Sequence, residues 1–411
     1  MMEGWKEISL NKIGWFKGAG VNKLINSDEQ PVYLVNYMDV YKHWRVYYNT
    51  NYQEVTAKDR EIEEANLLDG DVLFTPSSEK PIDIGHAGVV METMPNCVYS
   101  YHLIRLRLYD KTQFDLKFLS YLLNSDDVQK HFVSRASGSG IRYTLSLSDF
   151  KSAKIRFPEK PEQTAIADIL SKVDEAIAAV QGSIAAAERL KKSLMQNLLT
   201  GRMKPDGTLR KEDEFYLDEK FGKVPMGWVV KKVGEIAENH DNLRKPIKSI
   251  DRDKIKGKIP YYGAAGIVDY INDYLFDGTY LLFGEDGENL LSRKVPQAFI
   301  VKGKFWVNNH AHILRVYDEF DINLIVNILE SKKYDDIVYG SAQPKINKSD
   351  LNRIKIIIPK DIDEQKRISK SITTIDIEIS TKQSKIAVLE RLKKSLMQNL
   401  LTGKVRVNNL I

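Results

Sequence analysis

Two stretches of the chain place an apolar residue every three or four positions over about five heptads. In the first, the stripe is Ile166, Leu170, Val173, Ile177, Val180, Ile184, Ala187, Leu194 and Leu198, with Lys191 standing where an apolar residue is due. In the second it is Ile368, Ile372, Ile375, Ile379, Ile386, Leu389, Leu396 and Leu400, interrupted by Lys382 and Lys393. That period is a coiled-coil signal, too long and too regular for an ordinary globular helix. It predicts one helix from about Pro161 to Thr200 and another from about Asp361 to Thr402, each roughly 60 Å long. Pro161 suits a first helical turn, and Asp361 with Glu364 has the spacing of a capping box. Gly201 and Gly403 supply the left-handed residue that ends a helix at little cost.

The two helices end alike. ERLKKSLMQNLLTG at Glu188–Gly201 returns letter for letter at Glu390–Gly403, from 188 to 390, a shift of 202 in a chain of 411. A repeat of that period is an internal duplication, far too long for a solenoid. It predicts two half-molecules related by a rough two-fold, with the helices paired antiparallel as a rigid spacer.

The halves share openings and closings. Gly4-Trp5 corresponds to Gly227-Trp228, Ser148-Asp149-Phe150 to Ser349-Asp350-Leu351, and Lys154–Pro158 to Lys355–Pro359. Between these lie short runs rich in β-branched and aromatic residues, broken by Gly, Asn, Pro and Ser, which read as strands. They are Val32–Val35, Trp44–Tyr48, Asp71–Thr75 and Tyr101–Leu106 in the first half, and Tyr280–Phe283, Ala298–Val301, Lys304–Val307 and His312–Val316 in the second. Helices are predicted at Asp115–His131 and Ile322–Glu330, and Ser134–Tyr143 reads as a flexible basic loop. The sum is an α+β chain: two mixed α/β domains separated by two long antiparallel coiled-coil helices, with a pseudo-two-fold duplication. The segments are 1–157, a helix 158–201, a charged linker 202–226 turning at Asp206-Gly207, 227–358, and a helix and tail 359–411. The middles of the halves differ. Equal scaffolds around unlike interiors point to two readers of two targets, whereas a symmetric enzyme keeps its catalytic residues in both copies.

Composition bounds the rest. With 43% apolar and 28% charged residues the chain can bury more than one core. No run of 18 apolar residues spans a membrane, and MMEGWKEISL lacks a secretory pattern. The lone Cys97 makes neither an internal disulfide nor a cysteine zinc site, so a reducing cytoplasm is expected. A net charge of +5 permits a nucleic-acid partner.

Catalytic motifs are missing. The sequence has no GxxxxGK[ST] loop, no Asn/Asp-Pro-Pro-aromatic tetrapeptide for gripping a target amine, and no HExxH or Cys/His cluster. Gly263-Ala264-Ala265-Gly266 reads as a plain turn. His310 and His312 with Asn308 and Asn309 make a poor metal site, and Glu285, Asp286 and Glu288 lack the lysine partner of a nuclease. No catalytic or metal residue is therefore assigned. What remains is nucleic-acid contact chemistry: Arg matches guanine edges, Asn and Gln match adenine, and Ser, Thr and Lys hold phosphates. Candidates in the first half are Lys42, His43, Arg45, Ser77, Ser78, Lys80, Arg135, Ser137, Ser139, Arg142 and Tyr143. In the second they are Arg244, Lys245, Lys248, Tyr262, Asn308, Asn309, Gln343, Lys345 and Lys348.

Taken together, the twin Gly-Trp openings, Tyr261–Ile267, Val307–His312, Gly340–Ile346, the Pro…Glu-Gln…Ile exits (Pro158, Glu162, Gln163, Ile166; Pro359, Glu364, Gln365, Ile368) and the Leu-Leu-Thr-Gly ends have a known counterpart. In order and duplication the chain resembles the specificity (S) subunit of type I restriction–modification systems, over essentially its whole length. The resemblance implies a subunit that is not catalytic alone, whose two target-recognition domains each read half of a bipartite double-stranded DNA site. It implies that the helices set the unread gap and dock two methyltransferase subunits, through which motor–nuclease subunits join. For that docking the candidates are Arg189, Lys192, Met195 and Leu199, with Arg391, Lys394, Met397 and Leu401 as their copies. S-adenosylmethionine, ATP and Mg²⁺ then belong to the partners. A specificity partner of a combined methyltransferase–nuclease shares this architecture, and the sequence leaves that reading open. A protein-only coiled-coil scaffold leaves the divergent middles unexplained.

Overall fold

The structure, a computed structural model, describes residues 4–18, 20–335, 337–338 and 344–407. Two compact units emerge, and the first is built from two separate stretches of sequence. The first comprises Met1–Gln181 with Ser384–Ile411, the second Gly182–Gln383. Each long helix therefore contributes one half to each unit. The helices run Lys160–Leu198 and Ile362–Leu400, 39 residues apiece. Gly201 and Gly403 follow them with φ of +68° and +71°. A Cβ on Gly201 would lie 2.2 Å from Pro225 Cγ, so both backbone and space require glycine there.

In the first unit, Lys6–Ser9 pairs antiparallel with the exit strand Lys154–Phe157. Beside this pair are a four-stranded and a five-stranded sheet and a small three-stranded one. Phe74, Phe118, Phe132 and Phe150 fill a core that also takes Ile166 and Leu170 from the first long helix and Leu400 and Leu401 from the end of the second. Asp174 pairs with Lys393 at 2.7 Å and Glu162 with Arg406 at 2.7 Å. As one number falls the other rises, so the two helical halves run antiparallel within this unit.

The second unit repeats the plan. Trp228–Lys232 pairs with Lys355–Pro359, and Leu198, Leu199, Ile368 and Ile372 enter its core. Lys191 pairs with Asp376 at 2.5 Å, and Arg210 with Glu364. Here the middle is one six-stranded sheet.

Several sequence expectations are corrected. The helix expected over Asp115–His131 is two, Leu116–Leu123 and Asp126–Val133. Asn124 separates them because its amide donates to Ala87 O at 2.8 Å and accepts from Ala87 N–H at 3.1 Å, work a mid-helix side chain does not do. Ala298–Val301 and Lys304–Val307 are one strand, Ala298–Val307. Its Gly303 (φ +79°) lies opposite Gly278 (φ +137°) in the adjacent strand, so the ladder continues past the glycine. The loop at Ser134–Tyr143 contains a hairpin, Ser137–Ser139 with Arg142–Thr144. The stretch read as a charged connection folds a hairpin of its own, Phe215–Asp218 with Gly222–Pro225. The capping box at the second long helix does not form: Asp361 Oδ1 accepts from Asp363 N–H at 3.0 Å, but the Glu364 carboxylate goes to Arg210 and to Trp228 Nε1. Gly263–Gly266 is the plain turn expected, closing the hairpin of Lys256–Gly263 and Gly266–Ile271.

Candidate nucleic-acid interface

In the first unit the hairpin Ser137–Ser139/Arg142–Thr144 pairs onto Ser77–Ser78, placing Tyr143 opposite Ser78 and Thr144 opposite Ser77. Six sequence candidates thus meet on one small sheet, although the chain separates them by some sixty residues. Its glycines are obligatory. Gly138 has φ +153°, and a Cβ there would sit 2.2 Å from Arg142 O. Gly140 has φ +71° in a two-residue turn, the position where a hairpin turn needs positive φ. Alternation then sorts the faces. Tyr143 turns inward against the core, while Ser137, Ser139, Arg142 and Thr144 are exposed. Tyr143 is half-buried, its ring helping to seat the hairpin on the core.

Beside this sheet a cleft is lined by Tyr37, Tyr41, Ser77, Ser78, Lys80 and His102, with Ile141 and Arg142 at its hairpin side. Burial, and the positive charges of Lys23 and Arg142, hold the His102 imidazole below its ordinary range. Arg135 is exposed, and its guanidinium donates to His131 O and Ser134 Oγ, each at 3.4 Å.

Lys42, His43 and Arg45 lie elsewhere, against the long-helix ends. The Arg45 guanidinium lies 4.6 Å over the Tyr121 ring and donates to Ser120 Oγ at 3.1 Å. Tyr121 in turn donates to Asp174 at 2.6 Å, and Lys393 lies 4.5 Å over Trp44. Burial and the Asp174 hydrogen bond push the Tyr121 hydroxyl up to about 12. Arg45 thus fastens the sheet to the helices, while Lys42 and His43 stay exposed.

In the second unit two candidates, Arg244 and Lys345, are held by an internal charge network. Glu285 takes Arg244 and, at 2.9 Å, Lys345. Burial pushes its carboxyl up, but those two donors outweigh it and hold it below the ordinary range. Arg244 also donates to Ala311 O at 3.0 Å. His312 is fully buried between Asp241 Oδ2 at 2.6 Å and Ile346 O at 2.8 Å. Asn308 is buried and accepts from His310 N–H at 2.8 Å. The half-buried Tyr262 packs its ring on Phe299 and Phe305. These residues shape the loops at 285–288, 308–312 and 344–346. Asn309, Lys245, Lys248 and Lys348 are exposed. Gln343 lies outside the described residues. Among those described, no group of His, Cys, Asp and Glu is arranged to hold a metal, and no helix is long and apolar enough to cross a membrane.

The duplicated helix end lines an open groove in each unit. Glu188, Lys192 and Met195 do so in the second, and Glu390, Lys394 and Met397 in the first. The opposite walls differ: Phe221, Ile328 and Ile357 in one, Asn124, Asp126 and Lys130 in the other. Arg189, Lys192, Arg391 and Lys394 are exposed and Met195 and Met397 half-buried. Leu199 and Leu401, at 6% and 4% exposure, belong to the cores of their own units, and Leu199 also borders the groove of the second. Sequence reasoning missed Leu190 and Leu392, which are 53% and 46% exposed. Their place off the apolar stripe was the available signal.

The family model of the type I restriction modification DNA specificity domain matches residues 2–189 and 225–391. The type I restriction enzyme MjaVIII specificity subunit of Methanocaldococcus jannaschii is 26% identical over 393 residues, covering 88% of this chain and 84% of that one. A Haemophilus influenzae relative of the same description is 32% identical over 149 residues, 36% of this chain and 37% of that one. The crystal structure of the S subunit of the type I system of M. genitalium aligns over 96% of both chains with a TM-score of 0.56 at 17% identity, a likeness of fold. A family match on both halves, around the duplicated helices, means that this chain belongs to the type I restriction–modification DNA specificity subunits.

Proposed function

We propose that the chain is the non-catalytic reader of a type I complex, in which each unit recognises one half of a bipartite DNA site. The first unit reads with the small glycine-bearing sheet and the second with loops held by the Glu285 network. The helix pair fixes the gap, and the two copies of ERLKKSLMQNLLTG dock two methyltransferase subunits that recruit the motor–nuclease subunits. S-adenosylmethionine, ATP and Mg²⁺ are used by those partners. One observation carries this reading: corresponding residues of the repeated segment, among them Glu188, Lys192 and Met195 with Glu390, Lys394 and Met397, line a groove in both units while the sheets of the two units differ. A repeated helix face suits two copies of one partner, and unlike sheets suit two different half-sites.

The test replaces residues 237–346 with the equivalent part of a relative and maps DNA methylation in cells carrying the complete system. One half-site changes, while the other half-site and the gap stay the same. A change in both half-sites, or in neither, overturns the proposal.

A further inference from the structure

We infer that the turn of the glycine hairpin enters the DNA major groove and seats Ile141 against the 5-methyl group of a thymine. This rests on the proposed reading that the first unit grips one half-site. Ile141 is 87% exposed, the highest value among the exposed large apolar side chains of the described residues. It occupies the second position of a two-residue turn whose first position, Gly140, carries the positive φ, and it contributes nothing to either core. Ser139 and Arg142 flank the turn, and Ser137 and Thr144 share their outward face, while Glu79 and Asp83 line the cleft on its other side. Neither Arg142 nor Lys80 has an anionic partner within ion-pair distance among the described residues, so their charge is available to a polyanion.

A two-stranded ribbon fits the major groove, about 12 Å wide, and not the minor groove of about 6 Å. In the major groove only thymine offers a methyl, and an apolar side chain is its matching contact. Arg142, one residue on, is then within reach of a guanine edge or a phosphate.

The complex of this chain with its methyltransferase subunit is titrated with duplexes carrying the mapped site, in which each thymine in turn is replaced by deoxyuridine. One thymine of one half-site loses about fourfold in affinity, the worth of one buried methyl. The Ile141→Ala complex is weakened by the same factor, ignores that replacement, and melts at the wild-type temperature because the side chain is exposed. Deoxyuridine without effect anywhere, an effect that persists in Ile141→Ala, or a site without thymine overturns the inference and leaves the wider reading standing. Binding that survives scrambling of either half-site overturns both.

Discussion

Lys191 and Lys393 break the apolar stripes of their helices, and each finds an aspartate across the seam: Asp376 for the one, Asp174 for the other. The two pairs are copies under the same shift of 202 as the repeat, from 191 to 393 and from 174 to 376. The interruptions are thus paired charges that fix an antiparallel register, the role best attested for a polar residue in a helical seam. The sequence marked them as exceptions but could not name their partners, which lie some two hundred residues away. Charge pairing also yields an acid signature in the second unit. Lys256, the Tyr270 N–H and Arg252 hold the Asp269 carboxyl at about 2, below its ordinary 3.8. A depressed carboxylate stabilises the fold above its unfolded value and loses that contribution as pH falls through the folded one. We expect Lys256→Met to melt below wild type at neutral pH, with the gap closing as pH is lowered through 3.8 towards about 2. A gap of constant size in thermal melts would show that Asp269 is not the responsible group.

At the scale of elements, the long periodic signals were read correctly, and so were the glycines that end them, but two local breakers were not. Both long helices form within two residues of the expected ends, because a five-heptad stripe leaves no competing structure. Asn124 and Gly303 misled in opposite directions. One ends a helix through a hydrogen bond to a distant strand, and the other does not end a strand because a second glycine lies opposite. Gly182, in the middle of the first long helix, is the counterpart of Ser384, and a Cβ there meets nothing within 4 Å. Glycine inside a helix is worth about 0.5–1 kcal/mol less than alanine. Gly182→Ala is expected to raise stability by about that amount in denaturant titrations. A loss instead would mean that this point of the helix needs its flexibility.

For the whole molecule, duplication is the dominant fact. Each unit takes one reader and one half from each long helix, so neither half of the chain is complete by itself. Under the proposed function the helices measure a distance. Four residues inserted near Ala185 lengthen a helix by about 6 Å, one to two base pairs at about 3.4 Å each. Methylation mapping in cells carrying the insertion is expected to return a longer gap between unchanged half-sites; altered half-sites would count against the calliper.

The sequence alone determined the duplication, the two rods with their glycine ends, the matched openings and exits, and the family, because each is written in periodicity or in local identity. The tertiary structure alone decided which polar residues are paired within the chain. Arg142 and Lys80 have no ion-pair partner among the described residues, while Arg244 and Lys345 pair with Glu285, and Arg45 with Tyr121 and Ser120. A charged letter reads the same in either case. Whether it faces solvent or a carboxylate depends on a partner brought near by the fold, and no local pattern encodes that.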